Sequence, residues 1–141
     1  MLTLETAQKI VTGALTKARE NKMMPLCVIV LDARGVLKAA AAEEGISLKR
    51  PEIATGKANG ALSLGIGSRA IFERAQQQPF FVAAATHAAG GSMIPVPGGV
   101  LIKDAEGALL GAIGISGDNS DNDEIAAVAG VEAGGLVPVT G

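Results

Sequence analysis

A single histidine and a single cysteine bound the chemistry open to this chain. His87 is the only imidazole, and imidazole can act near neutral pH as a general base or as an axial haem ligand. It lies in a run of small residues, His87-Ala88-Ala89-Gly90-Gly91-Ser92, that reads as a flexible loop. On residue type alone an ordinary loop histidine is the plainer reading. Cys27 sits inside the continuous apolar run Leu26 to Leu31, where a thiol is usually inert packing, so a Cys27–His87 nucleophile pair is poorly supported. It has no intrachain partner for a disulfide. One His and one Cys are too few for a multi-residue zinc site, and no metal is expected. Lys57 is flanked by Gly56, Ala58 and Gly60. Most helix lysines are solvated, but on so small a surface an ammonium could reach a ligand carboxylate. His87 and Lys57 are therefore the catalytic candidates, as a pair around an acidic substrate.

Familiar phosphate and metal motifs are absent. Gly56-Lys57 is no phosphate loop, because Pro51 stands where its first Gly belongs and Ala58 replaces the Ser or Thr. Gly111, Gly114 and Gly117 have the wrong spacing for a dinucleotide turn. Asp118 to Glu124 resembles a calcium loop in composition only, with Asp123 at the sixth position and Ala129 at the twelfth. Helix capping explains those acidic residues better.

The elements that must position these groups centre on Pro95 to Glu124, which reads as a hairpin feeding a helix. Val100 to Lys103 is a strand, Asp104-Ala105-Glu106-Gly107 a turn, and Ala108 to Ser116 the return strand. Asp118, Asn119, Ser120 and Asp121 all offer an N-cap for a closing helix ended by Gly134-Gly135. On a period of two, Gly114 lies between Ala112 and Ser116 on a face almost without bulk, which calls for close approach by a helix, a second subunit or a flat ligand. A helix against the sheet is the plainer cause. VIVLDARGVLKA from Val28 echoes VLIKDAEGALLGA from Val100, which makes two hairpins of one antiparallel sheet and explains Asp32 and Asp104 as turn formers. Leu4, Ala7, Val11, Ala14, Leu15 and Ala18 mark an amphipathic helix over 4–20, capped by Thr3. Ser47 and Pro51 open a helix running to about Leu64, with Ile53, Lys57, Gly60, Ala61 and Leu64 on one stripe. Ser68 caps a shorter helix to about Gln77. Phe80 to Thr86 reads equally as strand or buried helix, and Met93 to Val96 as a short strand.

The 141 residues are read as a single domain, 1–141, nearly half apolar, with much of that share Ala and Gly. A net charge of −2 without any basic run argues against nucleic acid and against an anionic membrane surface. No apolar stretch approaches the ~20 residues of a membrane span. The N-terminus carries no signal-peptide pattern, so a cytoplasmic location is expected.

Taken together and in order, VIVLDARG, IATGKANGA, PGGVLIKD, GAIGISG and DNDEIAAVAG resemble the small haem-binding or haem-degrading family typified by GlcG, HbpS and the C-terminal domain of PduO. The resemblance spans the chain from its first helix to Gly134. It implies an α/β (α+β) domain whose antiparallel sheet, in a PAS-like or profilin-like order, is flanked by helices. It also implies symmetric oligomers built from dimers. Lys57, Pro97, Gly98, Gly99, Ser116, Gly117, Asp123 and Glu124 fall on the family's motifs, and Lys57, Pro97, Gly98, Gly99 and Ser116 join His87 as the expected cofactor-binding set. An axial ligand would be His87, Cys27 or a methionine such as Met93. The function implied is binding of a small molecule, haem or another tetrapyrrole, by a carrier or accessory factor. The alternatives are a small catabolic-pathway enzyme acting on an organic acid and a purely structural oligomer.

Overall fold

Thr3 holds extended backbone and its hydroxyl accepts the Thr6 amide, which starts α1 (Leu4–Glu20). Ala7, Ile10, Val11, Ala14 and Ala18 are its buried stripe, while Leu4 is exposed and Ile10 takes the place expected for it. The computed structural model describes all residues, 1–141.

The two hairpins repeat one another in their turn chemistry. Between β1 (Cys27–Asp32) and β2 (Leu37–Ala42), Asp32 Oδ1 accepts the amides of Arg34 and Val36 at 2.9 and 3.1 Å. Between β3 (Gly99–Lys103) and β4 (Leu109–Ser116), Asp104 Oδ1 accepts those of Glu106 and Ala108 at 3.0 and 2.8 Å. Gly35 and Gly107 close the turns at φ of 82° and 86°, a region that disfavours residues with a Cβ. With β5 (Val137–Val139), the strands form one antiparallel sheet in the order β2-β1-β4-β3-β5.

Helices cover both faces of this sheet. α1 and α5 (Ser120–Ala133) bury Val28, Val30, Val100, Ile102, Ile113 and Ile115 on one side. α2 (Arg50–Leu64) lays Ala54, Ala58 and Ala61 over Cys27, Ile29, Leu31, Leu101 and Ala112 on the other. Gly114 faces α2, and a Cβ there would fall on the Ala54 carbonyl oxygen. The bare strand face is thus filled by a helix, not by a second subunit or a flat ligand. Gly56 and Gly60 serve the same close fit on another side of α2, where Ile94 and Met93 occupy the space a Cβ would need.

Several local expectations give way to tertiary context. Phe80 to Thr86 belongs to α4 (Pro79–Ala88), which Pro79 opens and the run Ala83-Ala84-Ala85 favours; His87 is therefore in its last turn and not in a loop. Met93 to Val96 forms no strand, since Ile94 gives its amide to the Gly56 carbonyl of α2. β5 is a strand without a sequence expectation, three residues long and paired at the edge to β3. Ser68 does not cap α3 (Ser68–Gln77); Gly67 takes that position and Ser68 is buried. Lys49 precedes α2 in the cap position, and Ser47 instead accepts from Arg50 Nε at 3.1 Å.

Candidate functional site

Lys57 projects from α2 into the space between β4 and the start of α5, where its side chain is 2% exposed. Its ammonium donates to the Ile115 carbonyl at 2.8 Å and to Asp123 Oδ2 at 3.0 Å. Asp123 Oδ1 accepts the Asp118 amide at 3.0 Å, so one carboxylate joins the lysine to the β4–α5 corner. Burial lowers the Lys57 pKa and raises that of Asp123, while the opposite charge of each partner works against its shift. The arrangement is an internal brace: both of Lys57's partners are protein groups and no open surface reaches it.

The family-motif residues around it are engaged in the same way. Gly98, at φ 122°, accepts the Ile115 amide on its carbonyl at 3.0 Å, and a Cβ there would lie 2.9 Å from Lys57 Nζ. Gly99 packs against the Lys57 carbonyl, and its amide donates to Ser68 Oγ at 2.7 Å. Pro97 is buried beside them. Ser116 Oγ accepts Arg50 Nη1 at 3.0 Å. Lys57, Pro97, Gly98, Gly99 and Ser116 are therefore brought together, but as the joint between α2, β3 and β4. Glu124 lies outside that joint and accepts Arg69 Nε at 3.0 and 3.1 Å, tying α3 to α5.

His87 stands apart from this joint. No hydrogen bond links it to Lys57; the lysine is sealed beneath α2, while the histidine is exposed on α4. Of the ten residues of α4 only Val82 is buried, and none is Asp, Glu, Lys or Arg. Phe80, Ala83, Ala84, His87 and Ala88 are all exposed at spacings of three and four, which places them on one helix face. Phe80 is 74% exposed. The lone imidazole thus sits in an uncharged stripe floored by alanines and bounded at one end by a phenyl ring. Periodicity carried this signal, but a helix had first to be chosen over a strand for it to be legible.

The other two candidate ligands face inward. Cys27 is 2% exposed within the sheet, and burial, with the charge of Glu52, raises its thiol pKa. Met93 is 3% exposed and packs on Gly60. It does reach the floor of a cleft of about 510 Å³ between the first turns of α2 and the Gly90-Gly91-Ser92 turn, lined also by Pro51, Ile53 and Ile94. That volume lies within the range of small-molecule sites. No helix of the chain is long and apolar enough to cross a membrane.

No curated protein matches the chain. Among solved structures, the haem complex of PduOC superposes with a TM-score of 0.84 at 21% identity, covering 96% of each chain. The Klebsiella pneumoniae protein ORFY does so with a TM-score of 0.84 at 23% identity, covering 95% of this chain and 90% of its own. At such identities the likeness is one of fold. A double mutant of Streptomyces reticuli HbpS is 28% identical with a TM-score of 0.79, over 93% of this chain and 85% of its own. The family described as haem degrading protein HbpS-like matches residues 2–132, which is nearly the whole length. The chain belongs to the HbpS-like family of haem-degrading proteins.

Proposed function

We propose that this protein binds haem or a related tetrapyrrole and acts as a carrier or accessory factor, with His87 as the residue that would hold it. The observation that carries this reading is the exposed imidazole on an uncharged, alanine-floored helix face, in a chain of the HbpS-like family. When bound, haem iron supplies ligand and electron chemistry that no side chain has. The chain's own contribution is a nitrogen donor, with Ala83, Ala84 and Ala88 leaving room for a flat ring close to the helix. Cys27 and Met93 are inward-facing and do not compete for that place. Lys57, Pro97, Gly98, Gly99 and Ser116 are engaged in holding α2 on the sheet, apart from His87, and are given no direct part in binding. The alternative of an organic-acid enzyme requires Lys57 and His87 to face one substrate, and their separation weighs against it. A homo-oligomer built on a dimer belongs to the same proposal.

Haemin titration followed in the visible region tests the reading. The chain has no Trp or Tyr, so its own absorbance near 280 nm is very low and a bound chromophore dominates the spectrum. A Soret band that shifts or disappears in His87→Ala is the expected result. A chain that ignores haemin rejects the proposal, and an unchanged band in His87→Ala rejects the histidine as ligand.

A further inference from the structure

We infer that the end of the sheet where the two hairpin turns meet is a second binding site, which takes a small monocarboxylate with an apolar body. The repeat between the hairpins leads to it. Aligned on Asp32 and Asp104, Lys38 of β2 falls on Leu110 of β4. Both are bulge residues. β1 pairs Val30 with Ala39 and Leu31 with Leu37, passing over Lys38; β3 pairs Ile102 with Gly111 and Lys103 with Leu109, passing over Leu110. A bulge bends its strand and re-aims the extra side chain. β2 and β4 flank β1, and the two re-aimed side chains line one cleft of about 550 Å³, a volume in the range of small-molecule sites. His87 is not among its residues.

The lining sets the chemistry of the occupant. Leu2, 3% exposed, joins Leu109 and Leu110 in an apolar surface that suits a hydrocarbon body. The charge beside it is unbalanced. Asp32, the one carboxylate of the cleft, accepts the Arg34 and Val36 amides on Oδ1 and Arg34 Nη2 on Oδ2 at 3.2 Å. Lys38 is half-buried and in no ion pair. A lysine on an edge strand discourages pairing with another sheet wherever along the strand it stands. Edge protection therefore does not account for its placement at the bulge, beside leucines, in the position that Leu110 holds in the other hairpin. One ammonium matches one negative charge. A phosphate dianion is better met by guanidinium forks or clustered backbone amides, and the guanidinium of Arg34 is already engaged by Asp32.

Titration with octanoate, followed through the leucine methyl resonances, tests the inference. Octan-1-ol and octylamine carry the same body with a neutral and a cationic head. Saturable shifts at Leu2, Leu109 and Leu110 are expected, with octanoate bound about tenfold more tightly than the alcohol, as one hydrogen bond to a charged group provides. The amine should bind most weakly. Lys38→Met keeps the aliphatic stem and is expected to bring octanoate down to the affinity of the alcohol. Lys38→Glu is expected to invert the order, so that octylamine binds best, a result that edge protection alone does not produce. Leu109→Glu, at a position 38% exposed, gives a second route should Lys38→Glu fail to fold. It sets a carboxylate beside the head, and should weaken octanoate and strengthen octylamine with Lys38 in place. His87→Ala is expected to leave all three affinities unchanged. Absence of saturable shifts at these leucines overturns the inference. So does equal affinity for octanoate and octan-1-ol, or a preference for octanoate that survives Lys38→Met. Each of these results leaves the haem reading standing, because none involves His87.

Discussion

Lys57 and Asp123 show how a residue of chemical type comes to serve structure. Each charge has left water, and their attraction at 3.0 Å offsets that loss only while both are present. Lys57→Met keeps much of the aliphatic packing and strands a buried carboxylate, so it is expected to cost about 3–5 kcal/mol near neutral pH. The sign of its pH dependence follows from Asp123, whose pKa is raised by burial and lowered by the lysine. Without the lysine it rises further. The folded variant then holds a proton that the unfolded chain releases near its ordinary value, so its stability increases as pH falls toward that value. Urea denaturation of both proteins at pH 7 and pH 5 should show the gap narrowing at the lower pH. A gap of constant size would mean that the carboxylate is not the source of the loss.

Among the elements, α2 and β4 approach so closely that the strand can carry no side chain at the crossing. Gly114→Val is expected to lift α2 from the sheet, because the obstacle is the Ala54 carbonyl and not a side chain able to rotate. Overpacking that side chains can absorb costs about 1–3 kcal/mol, and this substitution should reach or exceed the upper end in a thermal melt. A Gly114→Val protein with native melting behaviour would show that α2 and β4 can separate freely. The hairpins were legible in the sequence because their turns are local: Asp32 and Asp104 bond amides two and four residues on. The covering of Gly114 was legible as a need, and the helix that meets it was the plainer of the causes considered. The joint was not legible as a joint, since Lys57 and Asp123 are 66 residues apart and Ser68 and Gly99 are 31 apart. α4 and β5 were obscured for another reason. An apolar run without alternation suits strand and helix alike, and a three-residue edge strand is defined by its partner β3.

At the scale of the whole molecule the apolar interior is divided unequally. Seventeen buried residues form the cluster under α1 and α5, eight lie beneath α2, and only Ile71, Val82 and Met93 make up the cluster of α3 and α4. Contacts so few leave little free energy against local opening, because a segment opens independently when its own burial, and not the global core, holds it. The Arg69 pairs to Glu124 and Asp121 fasten α3 at one end, while α4 has no salt bridge of its own. Amide exchange in α3 and α4 is therefore expected to run well ahead of exchange in α1, α5 and the central strands β1 and β4. Haemin should slow exchange across α4 and the Gly90-Gly91 turn while leaving the far face of the sheet unchanged. Exchange measured by mass spectrometry on peptides spanning 68–91, with and without haemin, tests both parts. Equal protection of α4 and α5 in the free protein would show that the small cluster is held by more than its three side chains. Protection by haemin centred on the cleft at Pro51 to Gly56, with α4 unaffected, would move the ligand site from His87 to the apolar floor beside Met93.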